Sequence, residues 1–226
     1  MQRLLGEMRK ADQAYGLIQA NDRILVGVSG GKDSLALLAL LAAYRTFSPH
    51  PFSLEAACLK IGEPFETDKI AAFCREREVP FTLIEENFLP QLEKEKSPCA
   101  LCARLRRGIL LKAAEDLHCN KLALGHHRDD VMETYLMSTL FEGRFYALQP
   151  KRTMEKGNIT LIRPLIDVKE GSIEALARRL QFPVAKNPCP VDGFTKRQEM
   201  KETLRALEQK FPGALEHFHS ALKGDR

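Results

Sequence analysis

No apolar run in the chain approaches the roughly 18 residues that a membrane-spanning helix requires, so no contact with membranes is expected. The N-terminus, MQRLLGEMRKADQ, is charged and lacks the apolar core of a secretory leader. A cytoplasmic protein follows as the expectation. Excess charge of one sign is also missing. The 34 basic and 30 acidic residues leave a formal +4, too little by itself to argue for nucleic acid. Internal repeats and low-complexity tracts are absent as well. Six cysteines are present, Cys58, Cys74, Cys99, Cys102, Cys119 and Cys189. In a reducing compartment these are thiols or metal ligands, and a disulfide framework is excluded.

What is present is a chain of 226 residues, 44% hydrophobic, enough for one large α/β domain or one domain with an appendage. Short β-prone runs over residues 24–28, 53–60, 81–85, 122–124 and 159–165 alternate with helix-type spacing. The helical stretches are 4–20, 35–41, 67–78, 105–117, the segment after Asp130 up to 141, 172–180 and 194–209. A repeating βα order predicts an α/β fold with a doubly wound, Rossmann-like parallel sheet of about five strands and helices at both termini.

The first run, Ile24 to Val28, is apolar on both faces, as a central parallel strand must be. It feeds Ser29-Gly30-Gly31-Lys32-Asp33-Ser34 and then a helix. Glycines let backbone N–H groups turn toward an anion, and the helix start adds unsatisfied donors and partial positive charge. Ser29 and Ser34 add hydroxyls and Lys32 adds charge. The spacing is not that of a Walker loop, which needs four residues between its glycine and Gly-Lys-Ser/Thr. It resembles the SGGxDS loop of the PP-loop ATP pyrophosphatases, which cleave ATP between the α and β phosphates.

Cys99-Ala100-Leu101-Cys102 precedes the predicted helix at 105, and two thiols so spaced can reach one metal centre. A thioredoxin-type role is excluded because no strand leads directly into the pair. Cys189 stands between prolines in Asn187-Pro188-Cys189-Pro190, which hold it in an extended turn. Three thiolates are an incomplete set for structural zinc, whereas a [4Fe–4S] cluster with one open iron suits three ligands. Three unrelated thiols are the alternative. Cys58, Cys74 and Cys119 read as small core or surface residues. Arg104, Arg106 and Arg107 follow the pair, facing either RNA or ATP phosphates. Gly143 to Gly157 is also basic, with Arg144, Lys151, Arg152 and Lys156, an RNA-facing loop or a solvated one.

After the fourth strand comes Gly125-His126-His127-Arg128-Asp129-Asp130. Adjacent carboxylates at a helix start can hold Mg²⁺ beside ATP, or merely cap the helix.

SGGKDS, CALCARLRRGIL, LALGHHRDD, LIRPL and NPCP occur in this order. That set is similar to the tRNA 2-thiocytidine biosynthesis proteins among the PP-loop enzymes, over about residues 22–199. The resemblance implies ATP-dependent sulfur insertion into a tRNA base, 2-thiolation of cytidine, through an adenylated base. It implies ATP, Mg²⁺ and a [4Fe–4S] cluster as cofactors. Val28, Ser29, Gly30, Gly31, Lys32, Asp33, Ser34, Leu59, Gly125, His126 and Arg106 would face ATP. Asp129 and Asp130 would hold Mg²⁺, with Asp33 and Asp129 catalytic. Cys99, Cys102 and Cys189 would hold the cluster and serve catalysis. The implied partners are tRNA and a sulfur donor such as a cysteine desulfurase or free sulfide, with a homodimer as the assembly. The implied divisions are a helical segment over 1–22, the ATP-binding domain over 23–168 and a helical portion over 169–226. Many members carry a second CxxC at the third-ligand site; here only Cys189 stands there. Rival readings are an adenylating amidotransferase or ligase, sulfur transfer to a small molecule, or a zinc-bound RNA- or nucleotide-binding module without catalysis.

Overall fold

Alternation along one short strand sets the layers of the molecule. Ile24 and Val26 share a core with the helix that follows them, while Leu25 packs on the opposite face with Ala113, Ala114 and Leu122. The computed structural model describes residues 1–62, 66–92, 95, 98–154, 158–185 and 196–224. Cys189 and its 187–190 turn, Lys156, Gly157 and the start of the helix expected at 194 lie outside them.

The elements run α1 (Gln2–Tyr15), β1 (Asp22–Gly27), α2 (Lys32–Arg45), β2 (Phe52–Ile61), α3 (Asp68–Arg75) and β3 (Phe81–Glu86). Then follow α4 (Leu89–Leu92), α5 (Pro98–Asp116), β4 (Lys121–Ala123), α6 (Arg128–Glu142), β5 (Lys151–Thr153) and β6 (Thr160–Ile162). The chain continues through α7 (Glu170–Arg179), α8 (Lys196–Lys210) and α9 (Ala214–Gly224).

One sheet has the order β3-β2-β1-β4-β6-β5. Five strands are parallel, as the sequence predicts. The sixth, β5, pairs antiparallel with β6 at the edge, Arg152 opposite Leu161. Its three residues are exposed, so no apolar signal marked it. In β1, Val26 lies between Ala56 of β2 and Ala123 of β4. Helix α2 is buried along nearly its whole length because it lies between the sheet and helices α1 and α7.

Three boundaries depart from expectation. Helix α1 stops at Tyr15 rather than at 20, because Gly16 adopts a left-handed conformation (φ 57°) that ends the helix. Helix α5 starts at Pro98 rather than at 105. Proline suits a first helical position, where its missing N–H costs nothing. Cys99 and Cys102 therefore lie inside the helix, in its first and second turns, rather than before it. Helix α9 was not foreseen.

Helices α8 and α9 cover α6 through Val131, Met132, Ile166, Leu204 and Leu222. Polar pins hold α9 in place. Asp167 lies 3.2 Å from His219 Nε2 and accepts from Lys223 Nζ at 2.7 Å. Glu216 pairs with Arg128 and Lys169, each at 2.9 Å. Burial works against ionised Asp167, but His219 and Lys223 prevail and hold its carboxyl at about 2. That value lies below the unfolded chain's roughly 3.9. The resulting stability is complete above about pH 5 and is lost as the pH falls toward the native value. Asp167→Asn is expected to cost about 2 kcal/mol in urea unfolding at neutral pH. The gap from wild type should narrow steadily between about pH 5 and pH 3; a pH-independent gap would exclude this origin.

The order β2-β1-β4 places a switch point between β1 and β4, since the chain leaves β1 for one side and later returns on the other. Ligands of doubly wound sheets bind in the crevice beyond the strand ends at such a point. The Ser29–Ser34 loop and the Gly125–Asp130 loop both emerge there.

Candidate active site

Beyond β1, Val28 N–H still donates to Ala57 O at 2.8 Å, and the chain then turns sharply. Gly30 has φ 79°, a conformation that side chains other than glycine rarely adopt. Hydroxyls brace the turn from inside. Ser34 Oγ donates to Gly31 O (2.9 Å) and accepts from Ser29 N–H (3.1 Å), and the two serine hydroxyls lie 3.2 Å apart. Gly31 caps α2 without a side-chain hydrogen bond to the first-turn amides, so those donors remain for an anion.

The second loop presses against the first. A Cβ on Gly125 would sit 3.0 Å from the carbonyl of Asp33 and the amide nitrogen of Ser34, both backbone atoms. Backbone cannot swing aside, so Gly125→Ala must separate the loops by a few tenths of an ångström. The expected outcome is a roughly tenfold rise in the ATP dissociation constant, read by calorimetry, with a melting temperature a few degrees lower. Unchanged ATP affinity would mean that this close approach does not shape the pocket.

Between the loops opens a cleft of about 360 Å³. Val28, Ser29, Asp33, Ser34, Leu59, Arg106, Gly125, His126 and Asp130 line it, with Arg107, Leu110 and Ala103 of α5. Gly30, Gly31, Lys32 and Asp129 do not line it. The Lys32 ammonium lies 3.0 Å from Asp33 and 2.9 Å from Glu170 at the start of α7. Burial opposes its charge, but Asp33 and Glu170 raise its pKa. Glu170 also takes Lys201 of α8 at 2.6 Å. Burial disfavours its ionised form, yet Lys201 and Lys32 hold it at about 2. Asp129 Oδ2 accepts the backbone N–H of Glu170 at 2.8 Å, which spends that carboxylate on joining α6 to α7.

Of the two adjacent carboxylates, Asp130 lines the cleft. His127, itself buried, places Nε2 3.4 Å from Asp130 and 3.7 Å from Asp33. Arg197 of α8 bridges Asp130 (2.9 Å) and Glu133 (3.2 Å). Burial and the Asp130 charge push the Glu133 carboxyl up to about 7, against the pull of Arg197. Asp33 and Asp130 both line the cleft near His127 Nε2, and Asp130 also accepts the His127 N–H at 2.9 Å, closing the cap of α6; paired carboxylates are the donor chemistry of a hard divalent cation beside phosphates. His126 accepts at Nδ1 from Arg163 Nε at 3.2 Å, which leaves Nε2 as its N–H donor. Burial drives this imidazole down to about 4, and Arg163 adds to the effect while Asp130 opposes it, so it is neutral at physiological pH.

The thiols separate into two kinds. Cys58, Cys74 and Cys119 are buried, and burial raises their pKa, to about 11 for Cys58 and about 12 for Cys74. Cys99 is exposed and Cys102 half-buried, in the first two turns of α5. Residues 99, 103, 106 and 110 recur at helical spacing, so Cys99 lies on the same face as Ala103, Arg106 and Leu110, which line the cleft. Cys102 precedes Arg106 by four residues, one turn. Two sulfur ligands on the helix whose face lines the cleft have the chemistry that an iron–sulfur centre requires. Among the described residues no three His, Cys, Asp or Glu side chains converge as a metal site.

The profile of the PP-loop domain matches residues 4–207. The chain belongs to the PP-loop family. Among curated PP-loop proteins, the tRNA-cytidine(32) 2-sulfurtransferase of Geobacter sulfurreducens is 41% identical over 88% of this chain and 80% of its own length. That of Nitrosomonas eutropha is 36% identical over 92% of this chain and 69% of its own. In three dimensions the chain is similar to the U34-tRNA thiolase NcsA of Methanococcus maripaludis, whose structure carries a [4Fe–4S] cluster. The TM-score is 0.80 at 27% identity, covering 98% of this chain and 78% of that one.

Sequence reasoning underweighted Arg163, Glu170, Arg197 and Lys201. Arg163 ends a parallel strand, a place where ligand groups gather. The other three stand in ordinary charged helices, and only the fold brings them to the site.

Proposed function

We propose that this PP-loop protein is an ATP-dependent tRNA sulfurtransferase that replaces the 2-oxo oxygen of a cytidine by sulfur. The observation that supports it most is that α5, whose Ala103, Arg106 and Leu110 line the cleft into which the Ser29–Ser34 loop opens, carries Cys99 on that same face one turn before Ala103. The named activity of its relatives supplies the substrate.

In this reading the amides at the start of α2 and the serine hydroxyls bind the ATP phosphates, and Leu59 bounds the base end of the cleft. Asp33 and Asp130 would hold Mg²⁺ between those phosphates. Arg106, Arg107 and the His126 N–H stabilise the charge that gathers on the departing pyrophosphate. The base oxygen attacks the α-phosphorus, the bond to the β-phosphate oxygen breaks and pyrophosphate leaves. A sulfide then attacks the activated carbon, and the carbon–oxygen bond breaks as AMP departs. Neutral His126 cannot act as a cationic clamp, so the arginines carry that charge. Cys99, Cys102 and Cys189 would hold a [4Fe–4S] cluster, which supplies an iron position able to bind that sulfide. Free sulfide or a cysteine desulfurase serves as donor.

The test is an air-free reaction of the purified chain with unmodified tRNA, ATP, Mg²⁺ and sulfide. Thiolated cytidine by mass spectrometry, with AMP and pyrophosphate formed in step, is the expected result. Pyrophosphate release driven by ammonia without sulfur incorporation would instead favour an amide-forming ligase.

A further inference from the structure

Phe145 is 86% exposed, an unusual position for a side chain whose burial is worth roughly 1.5–3 kcal/mol. It is nonetheless held. One side of its ring stacks on Tyr135 (centroids 6.2 Å, planes 19° apart), and Tyr135 packs edge-on against Phe218 of α9. The flanking backbone is tied to buried Ser138, whose hydroxyl bonds Tyr146 O at 2.8 Å and Tyr146 N–H at 3.2 Å. Arg144 N–H donates to Ser138 O at 3.0 Å. The ring therefore offers an open face from a fixed support.

Its surroundings are cationic and lead to the cleft. Arg163, bonded to His126 of the cleft wall, is pinned to this segment through Gln149 O (2.6 Å) and Pro150 O (2.8 Å). The charges of Arg107 and Arg152 and the hydroxyl of Tyr146 all act on Arg163. Arg152 makes no ion pair among the described residues, whereas Arg144 pairs with Glu142. On the other side Lys196 stands 4.2 Å over the ring of Phe141. Open aromatic faces among arginines and lysines suit unpaired nucleotides, which stack while their phosphates meet the cations.

We propose that Phe145 is a stacking platform for an unpaired nucleotide of the tRNA, on a basic rim that guides the neighbouring base into the cleft. This rests on the reading of tRNA as substrate.

The test measures binding of the full chain to unmodified tRNA and to a blunt RNA duplex, beside sedimentation velocity. Phe145→Ala is expected to weaken tRNA binding about 5–150-fold, the loss of one base–aromatic stack. Duplex binding, ATP affinity and melting temperature should stay at wild-type values, and Phe145→Trp should restore tRNA binding. Arg152→Ala should weaken tRNA and duplex alike and lower the salt slope by about one. Wild-type tRNA affinity in Phe145→Ala overturns the proposal, including where that variant shifts from dimer to monomer and so marks the patch as a contact between copies. A wild-type chain that does not bind tRNA overturns the substrate reading itself.

Discussion

Alanine at Cys99 or Cys102 is expected to abolish iron and acid-labile sulfide in anaerobically purified protein while ATP affinity stays within about twofold of wild type. Thiolation of tRNA should fall by roughly 10³-fold or more, some 4 kcal/mol in barrier. The separation of effects follows from placement. Both thiols lie in the first two turns of α5, whereas the phosphate amides belong to the turn between β1 and α2. No other described thiol can substitute. Cys58, Cys74 and Cys119 are buried, and burial keeps them protonated. Cys119→Ala should therefore retain both iron and activity. Cys189→Ala is expected to match Cys99→Ala. Full iron content with full thiolation in any of the three would remove the cluster from the account.

The parts of this site visible in the sequence are those in which local chemistry repeats local geometry. An apolar run, two glycines and a helix start describe a phosphate loop without help from the rest of the chain. The structure places Ser29, Asp33 and Ser34 on the cleft accordingly. The CxxC was legible as a pair, but its helix was not, because Pro98 reads as a break unless it occupies the first turn. Lys32 has partners that no local pattern shows. A lysine beside two glycines suggests a phosphate ligand, yet Glu170, more than a hundred residues away, claims its ammonium at 2.9 Å. Such partners arise only when α7 packs on α2. The cations of α8 likewise find their partners only through packing. Arg197 and Lys201 find Asp130, Glu133 and Glu170 instead of the acids of their own helix. The edge strand β5 is polar and exposed and carries no apolar pattern, whereas α9 does repeat Leu215, Phe218 and Leu222 at helical spacing, a legible signal that went unread.

Asp129 and Asp130 are neighbours of identical chemistry, and the fold gives them separate tasks. Asp130 lines the cleft, pairs with Arg197 at 2.9 Å, accepts the His127 N–H at 2.9 Å and lies, like Asp33, near His127 Nε2. Asp129 points out of it and accepts the amide of Glu170. Asparagine at 130 keeps the volume and removes the charge that a divalent cation and Arg197 both answer to. Turnover of ATP to AMP in the presence of tRNA should fall about 10²-fold or more, the size of effect seen when one preorganised electrostatic group is lost. Added Mg²⁺ should recover part of that loss, since Asp33 still offers oxygens. Asparagine at 129 keeps a carbonyl oxygen able to accept from Glu170 N–H, so stability should fall by about 1 kcal/mol and turnover by less than tenfold. The decisive measurement pairs single-turnover AMP release with urea unfolding for both variants. Equal losses of turnover would mean that the two carboxylates act as one site. A larger loss at position 129 would put the cation on the far side of His127, away from the face that Asp130 shares with Arg106.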